Sequence, residues 1–236
     1  TNRLLINHLE NLFESFINLI NAAIDDKSPY TAGHCERVPL LTTMLAEAVN
    51  NVQVGPLKSF TMSDKDRYEL KIAGLLHDCG KVTTPVHVVD KATKMHTIFD
   101  RIGLIDTRFE VVKRDTEIAR LKAKLEALEK DDRQALHDIE RGFELRMRGI
   151  NEDREFLRFC NVGGEAMKPE DMERVKQIST QYRWRDIQGN PADFLTDDEL
   201  QNLTIRAGTL TAAERKVINH HIEVTIRMLE ALPWPK

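Results

Sequence analysis

Apolar residues recur every three or four positions along most of this chain, which is the spacing of an amphipathic helix. The first such stripe runs through residues 4–24 and predicts one long helix. Further stripes predict helices from Arg37 to Asn50, after Ser63 and after Thr211, and the last two begin with sequences typical of a helix-capping box. The pattern therefore predicts an all-α fold.

The longest helical pattern covers residues 99–160, with dense charge outside its apolar positions. Its clearest part is a three-four repeat of Ile118, Leu121, Leu125 and Leu128. The repeat weakens at Asp131 and resumes near Leu136, so one long helix and a helical hairpin both fit the pattern. We predict an inserted coiled-coil arm and favour the hairpin. Gly163 and Gly164 end this segment.

Composition narrows the class of protein without selecting a function. With 236 residues the chain suffices for one or two domains, and no apolar run is long enough to cross a bilayer. A net charge of −4, from 34 basic and 38 acidic residues, provides no overall basic field to attract DNA. The three cysteines form no CxxC pair, which argues against a disulfide framework and a zinc knuckle and fits a reducing cytoplasm.

The candidate chemistry begins with His77 and Asp78 in the segment LLHDCGK, at the end of an apolar helix. Burying an ionised carboxylate beside an imidazole is costly, and a divalent metal bound by both groups is a common compensation. Gly80 permits a backbone conformation denied to other residues, which we expect to turn Lys81 toward the same site. Two further segments bring His34 and the His220-His221 pair.

Three segments together resemble the HD-GYP family, bacterial phosphodiesterases that hydrolyse cyclic di-GMP. They are SPYTAGHCERV (28–38), HDCGK (77–81) and LTAAERKVINHHIEVTIRML (210–229). His221, and not His220, falls on the ligand position of the third motif. The resemblance implies an HD-domain helical bundle, preceded here by a linker helix and interrupted by the inserted arm.

The resemblance also implies a metal site and its chemistry. His34, His77, Asp78 and His221 would bind divalent metal ions, with Asp78 as the bridging ligand, and Lys81 would neutralise charge on a substrate phosphate oxygen. The family's trinuclear members carry an acidic ligand where this chain has Tyr30, so a binuclear site is the expectation. Iron or manganese best suits such a mixed set of histidine and carboxylate ligands, and zinc is a further candidate.

The family's closing signature, HHExxDGxGYP, is absent from this chain. We therefore expect a truncated piece of a longer protein that is inactive alone, with an upstream sensory or receiver domain, a homodimeric assembly and a cytoplasmic location. The expected organisation is a linker helix (1–27), the first part of the HD-GYP-like domain (28–98), the arm (99–160), a helical connector (161–208) and the second part of the domain (209–236).

Two other functions stay open. One is a non-catalytic signalling or dimerisation module on the same scaffold, and the other is an HD-type phosphohydrolase acting on other nucleotides. Outside the candidate site, we expect His8 to be a core or interface residue and His87 and His96 to be structural or exposed, and we assign no role to His137.

Overall fold

The computed structural model describes residues 2–27, 33–164, 166–186 and 188–232. Helices dominate it, and the only strands among the described residues form one short hairpin, so the all-α prediction is confirmed. The chain divides into two compact units, residues 1–90 with 212–236 and residues 91–211. None of the helices in the described ranges is both long and apolar enough to cross a membrane.

The described part of the first unit contains six helical segments: α1 (Asn2–Lys27), α2 (His34–Asn50), α3 (Asp64–Leu76), a 3-10 helix (Cys79–Thr83), α4 (Val86–Val89) and α9 (Ala212–Glu230). The second unit contains α5 (Ile102–Glu129), α6 (Arg133–Asn161), α7 (Pro169–Gln181), β1 (Arg183–Arg185), β2 (Pro191–Asp193) and α8 (Asp197–Leu203). The two strands are antiparallel, with Trp184 opposite Ala192.

The core of the first unit forms where one face of α1 packs against α3 and the 3-10 helix. Its buried members are Ile17, Ile24, Ile72, Leu75, Leu76 and Cys79. The capping box predicted at Ser63 begins α3, because Ser63 and Asp66 each bond the other's backbone N–H. Helices α2 and α3 cross closely at Gly74, where an added Cβ would lie 3.0 Å from the Cα of Pro39.

Only part of the predicted α1 stripe is buried. Phe13, Ile17 and Ile20 pack in the core of the unit, whereas Leu9 and Leu12 are exposed. His8 is also exposed, so it does not belong to the core of the unit.

The second unit has its own core, built around Phe109, Tyr182 and Phe194, whose rings lie 4.5 to 5.6 Å apart. The hairpin favoured by the sequence is present, since α5 ends at Glu129 and α6 begins at Arg133. Residues 91–211, which include both the expected arm and the expected connector, form one compact unit. Its interior also contains a buried ion pair between Arg108 and Glu199.

Candidate metal centre

Asp78 is the centre of the candidate site. It follows α3 and His77 and directly precedes the 3-10 helix, and its side chain is only 9% exposed. Its Oδ2 atom lies 3.0 Å from Nε2 of His77, 3.5 Å from Nε2 of His34 and 2.5 Å from Nζ of Lys81. Its Oδ1 atom lies 3.5 Å from Nε2 of His221. The structure thus brings together all five residues that the sequence selected.

His77, which directly follows α3, and His221, which lies on α9, are oriented in the same way. Nδ1 of His77 lies 2.7 Å from the carbonyl oxygen of Gly74, and Nδ1 of His221 contacts the carbonyl oxygen of Ile218. A carbonyl only accepts hydrogen bonds, so Nδ1 carries the proton in each neutral ring. Nε2 then presents a lone pair toward Asp78, as a metal-binding imidazole requires.

The arrangement of these ligand atoms fits a divalent metal. Nε2 of His34 and Nε2 of His77 lie 3.3 Å apart, and these nitrogens and an Asp78 oxygen all lie within 4.8 Å of one another. A cation can bind all three atoms at once, whereas without one the two nitrogens can bond each other only if one of them carries a proton. With His221 on the other carboxylate oxygen, the ligands form two groups around Asp78. Nitrogen and carboxylate ligands of this kind suit iron, manganese or zinc.

The charge of Asp78 is stabilised locally. Burial raises the pKa of Asp78, but the hydrogen bond and the charge of Lys81 lower it by more, so the net pKa lies below the ordinary value. The carboxylate is therefore ionised at neutral pH.

The thiols of Cys35 and Cys79, which follow His34 and Asp78 in the sequence, have raised pKa values. Burial, with Asp25 as the next cause, raises the pKa of Cys35 to about 11, and burial also raises the pKa of Cys79. Both thiols are therefore protonated at neutral pH, and neither belongs to the group of ligand atoms formed by His34, His77 and Asp78.

Gly80 is required for a reason other than the one expected. Its φ is not in the left-handed region, so the expectation of a special backbone conformation is wrong. A Cβ added at Gly80 would instead lie 2.1 Å from the backbone oxygen of His221, and the Gly80 N–H donates to Oγ1 of Thr225 at 3.0 Å. The glycine thus lets the 3-10 helix lie directly against α9, which brings His221 to Asp78.

The last turn of α1 also supports the site, which sequence reasoning missed. The Oδ2 atom of Asp25 accepts a hydrogen bond from the N–H of Gly33 at 2.9 Å, directly before His34. Nζ of Lys27 donates to the carbonyl oxygens of Lys81 at 3.2 Å and Val82 at 2.5 Å. No pattern in the sequence pairs these residues, because the contacts arise only when α1 packs beside the site.

The remaining described histidines take no part in the cluster; they are His8, His87, His96, His137 and His220. His220 is exposed and pairs with Glu223 at 2.8 Å, on another face of α9 from His221. Tyr30, the position used to predict a binuclear site, lies outside the described residues together with the rest of 28–32. The segment 233–236, which includes Trp234, also lies outside them.

Comparison with known proteins agrees with this arrangement. Residues 31–158, more than half of the chain, match the HD domain family. Over 82 residues the chain is 37% identical to the 3′3′-cGAMP-specific phosphodiesterase 3 of Vibrio cholerae serotype O1, a match that covers 35% of this chain and 15% of the relative. No solved structure matches the chain.

Proposed function

Because this chain belongs to the HD domain family, we propose that it carries the metal-binding part of a phosphodiesterase that hydrolyses cyclic di-GMP. The observation that supports the proposal best is the convergence of three imidazole nitrogens and Lys81 on the buried carboxylate of Asp78. A site of this composition has few structural uses, since burying such a cluster without a ligand is unfavourable.

In this proposal His34, His77, Asp78 and His221 hold divalent metal ions. We favour two ions of iron or manganese around the Asp78 carboxylate, because its two oxygens face different ligands. Metal ions of this kind act as Lewis acids that polarise a phosphoryl oxygen. Carbonyl groups of α3 and α9 fix the ring orientation of His77 and His221.

Lys81 supplies the second part of the chemistry. Its ammonium group lies 2.5 Å from Oδ2 of Asp78, and its side chain is 22% exposed, so it reaches both the carboxylate and an entering ligand. We propose that it binds a nonbridging phosphate oxygen as a point charge. Lys27 holds the backbone carbonyls of Lys81 and Val82, which limits the positions available to the ammonium group.

The choice of cyclic di-GMP rests on the resemblance to HD-GYP proteins, and the partial similarity to a phosphodiesterase named for 3′3′-cGAMP supports a cyclic dinucleotide. We further propose that the intact protein is a cytoplasmic homodimer with an upstream sensory or receiver domain. The described residues supply only part of the ligand set implied by the resemblance, so we propose that the 236-residue chain alone is inactive.

The test is hydrolysis by the intact protein, loaded with Mn²⁺ or Fe²⁺, of cyclic di-GMP, 3′3′-cGAMP and a nucleoside triphosphate. We expect cyclic di-GMP to be the best substrate and Asp78→Asn to abolish its hydrolysis while the protein stays folded. Asp64→Asn is the matched control, because Asp64 is exposed at the first residue of α3, at the opposite end of that helix from the cluster.

Three results would contradict the proposal. Undiminished hydrolysis by Asp78→Asn would refute the site. A preference for the nucleoside triphosphate would favour another HD-type phosphohydrolase. Metal binding with no hydrolysis of any of the three substrates would favour a non-catalytic module.

A further inference from the structure

An apolar stripe on α5 lies outside the core of the second unit. We define the outer stripe as Ile118, Leu121, Leu125 and Leu128, whose exposed fractions lie between 48% and 62%. Their spacing of three, four and three is that of the a and d positions of a coiled coil, with Ile118 at the first a position. Four large apolar side chains aligned in this way on one exposed helix face indicate a contact surface.

The hairpin contact between α5 and α6 uses a different face of α5. Arg120 and Lys124 pair with Glu140 of α6, Arg120 also stacks on Phe143, and Ala127 is buried. Arg120, Lys124 and Ala127 each stand one position before a leucine of the outer stripe. The stripe is therefore turned about 100° away from α6, and α6 does not cover it.

We propose that the outer stripe pairs with the outer stripe of a second copy of this chain as a short parallel two-stranded coiled coil. Isoleucine at an a position with leucine at both d positions is the combination that favours two parallel strands. The proposal gives the proposed homodimer a contact surface, and it does not depend on the proposed hydrolysis.

The flanking charges support a second copy of this chain as the partner. Glu117 and Lys124 occupy g positions, and Lys122 and Glu129 occupy e positions. In a parallel pair each g residue faces the e residue five positions later in the other copy, so Glu117 meets Lys122 and Lys124 meets Glu129. In an antiparallel pair g residues face g residues and e residues face e residues, so Glu117 would meet Lys124 and Lys122 would meet Glu129. Opposite charges therefore meet in both arrangements, and the parallel direction rests on the residues at the a and d positions.

The length of the stripe limits the strength of the contact. It spans only two heptads, which would be marginal for isolated helices. Here α5 is already folded against α6 through ion pairs such as Arg120 with Glu140, so association does not have to order the helix. Lys124 is partly engaged with Glu140 in each copy, which leaves Glu117 and Lys122 as the parallel flank pair least tied to α6. We expect a monomer–dimer equilibrium in the micromolar range.

The first test is analytical ultracentrifugation of the 236-residue chain across micromolar concentrations. We expect reversible dimerisation that Leu121→Glu removes, with the helical content unchanged because the side chain is exposed in the monomer. Leu145→Glu is the matched control, since Leu145 is also exposed, at 59% against 48% for Leu121, but lies on α6 outside the stripe. A chain that stays monomeric throughout, or a dimer unaffected by Leu121→Glu, would overturn the proposal.

The second test examines the direction of pairing. Lys122→Glu should weaken dimerisation at least fivefold, and adding Glu117→Lys should restore it. Leu121→Cys should form a disulfide between two copies of the same variant, because equal d positions face each other in a parallel pair and the native thiols are buried. Crosslinking only in a mixture of Leu121→Cys and Leu125→Cys would show an antiparallel pair and overturn the assignment.

Discussion

Gly80 offers the sharpest test of how the site is assembled, because its substitution acts on His221 through packing alone. In Gly80→Ala, the new Cβ would stand 2.1 Å from the backbone oxygen of His221, 2.6 Å from Oγ1 of Thr225 and 2.7 Å from its nitrogen. Two of these three atoms belong to the backbone of α9, so no side-chain rotation relieves the contact. The 3-10 helix and α9 must move apart.

The size of the effect follows from these distances. An ordinary carbon–oxygen contact is about 3.4 Å, so the 2.1 Å separation must grow by roughly 1.3 Å. Overpacking of this kind costs about 1–3 kcal/mol. Weakening the buried Gly80–Thr225 hydrogen bond adds about 1 kcal/mol. We therefore expect a loss of about 2–4 kcal/mol in the free energy of unfolding, and a metal affinity lowered about 10- to 100-fold as His221 moves.

The assay combines urea unfolding, monitored by circular dichroism, with hydrogen exchange of α9. Gly80→Ala should unfold at lower urea and exchange faster in residues 212–230, with α5 and α6 unchanged. Gly142→Ala is the matched control: nothing lies within 4 Å of its added Cβ, and it sits inside α6. That variant should be more stable by about 0.5–1 kcal/mol. Unchanged stability and unchanged α9 exchange in Gly80→Ala would refute the packing argument.

Two further substitutions test a buried ion pair and the support from α1. Burial raises the pKa of Glu199, but its hydrogen bonds to Arg108 lower it more, so the net pKa lies below the ordinary value. The pair therefore stabilises the fold above the ordinary pKa of glutamate, and this stability is lost as the pH falls through the lower folded-state pKa. Glu199→Gln should cost about 3–5 kcal/mol at pH 7 and less at low pH in urea titrations; a deficit that does not depend on pH would contradict the assignment. Asp25→Ala should lower Mn²⁺ affinity about 10-fold by calorimetry, because the start of α2 loses its hydrogen bond to α1, whereas exposed Asp26→Ala should not; equal affinities would show that α1 does not position the site.

Local patterns were sufficient to predict much of the fold. The capping box predicted at Ser63 is present because it depends only on residues three positions apart. The choice of His221 over His220 came from the family resemblance, and it agrees with the 100° rotation between neighbouring helical positions, since the structure turns His221 toward Asp78 and His220 toward Glu223.

What could not be predicted depends on contacts between distant segments. The hydrogen bond from Gly33 to Asp25 and the close approach of Gly80 to α9 exist only after the helices have packed. The repeat that begins at Ile118 predicted a helix correctly, but periodicity does not specify which neighbour a stripe faces. In the hairpin it faces away from α6.

The most direct measurement is Mn²⁺ binding to the 236-residue chain, detected as a decrease in the electron paramagnetic resonance signal of the free ion. We expect the parent chain to bind Mn²⁺ weakly, Asp64→Asn to bind it equally, and Asp78→Asn to lose binding with its helical content intact. Equal Mn²⁺ uptake by Asp78→Asn and the parent would show that His34, His77, Asp78 and His221 do not form the metal site.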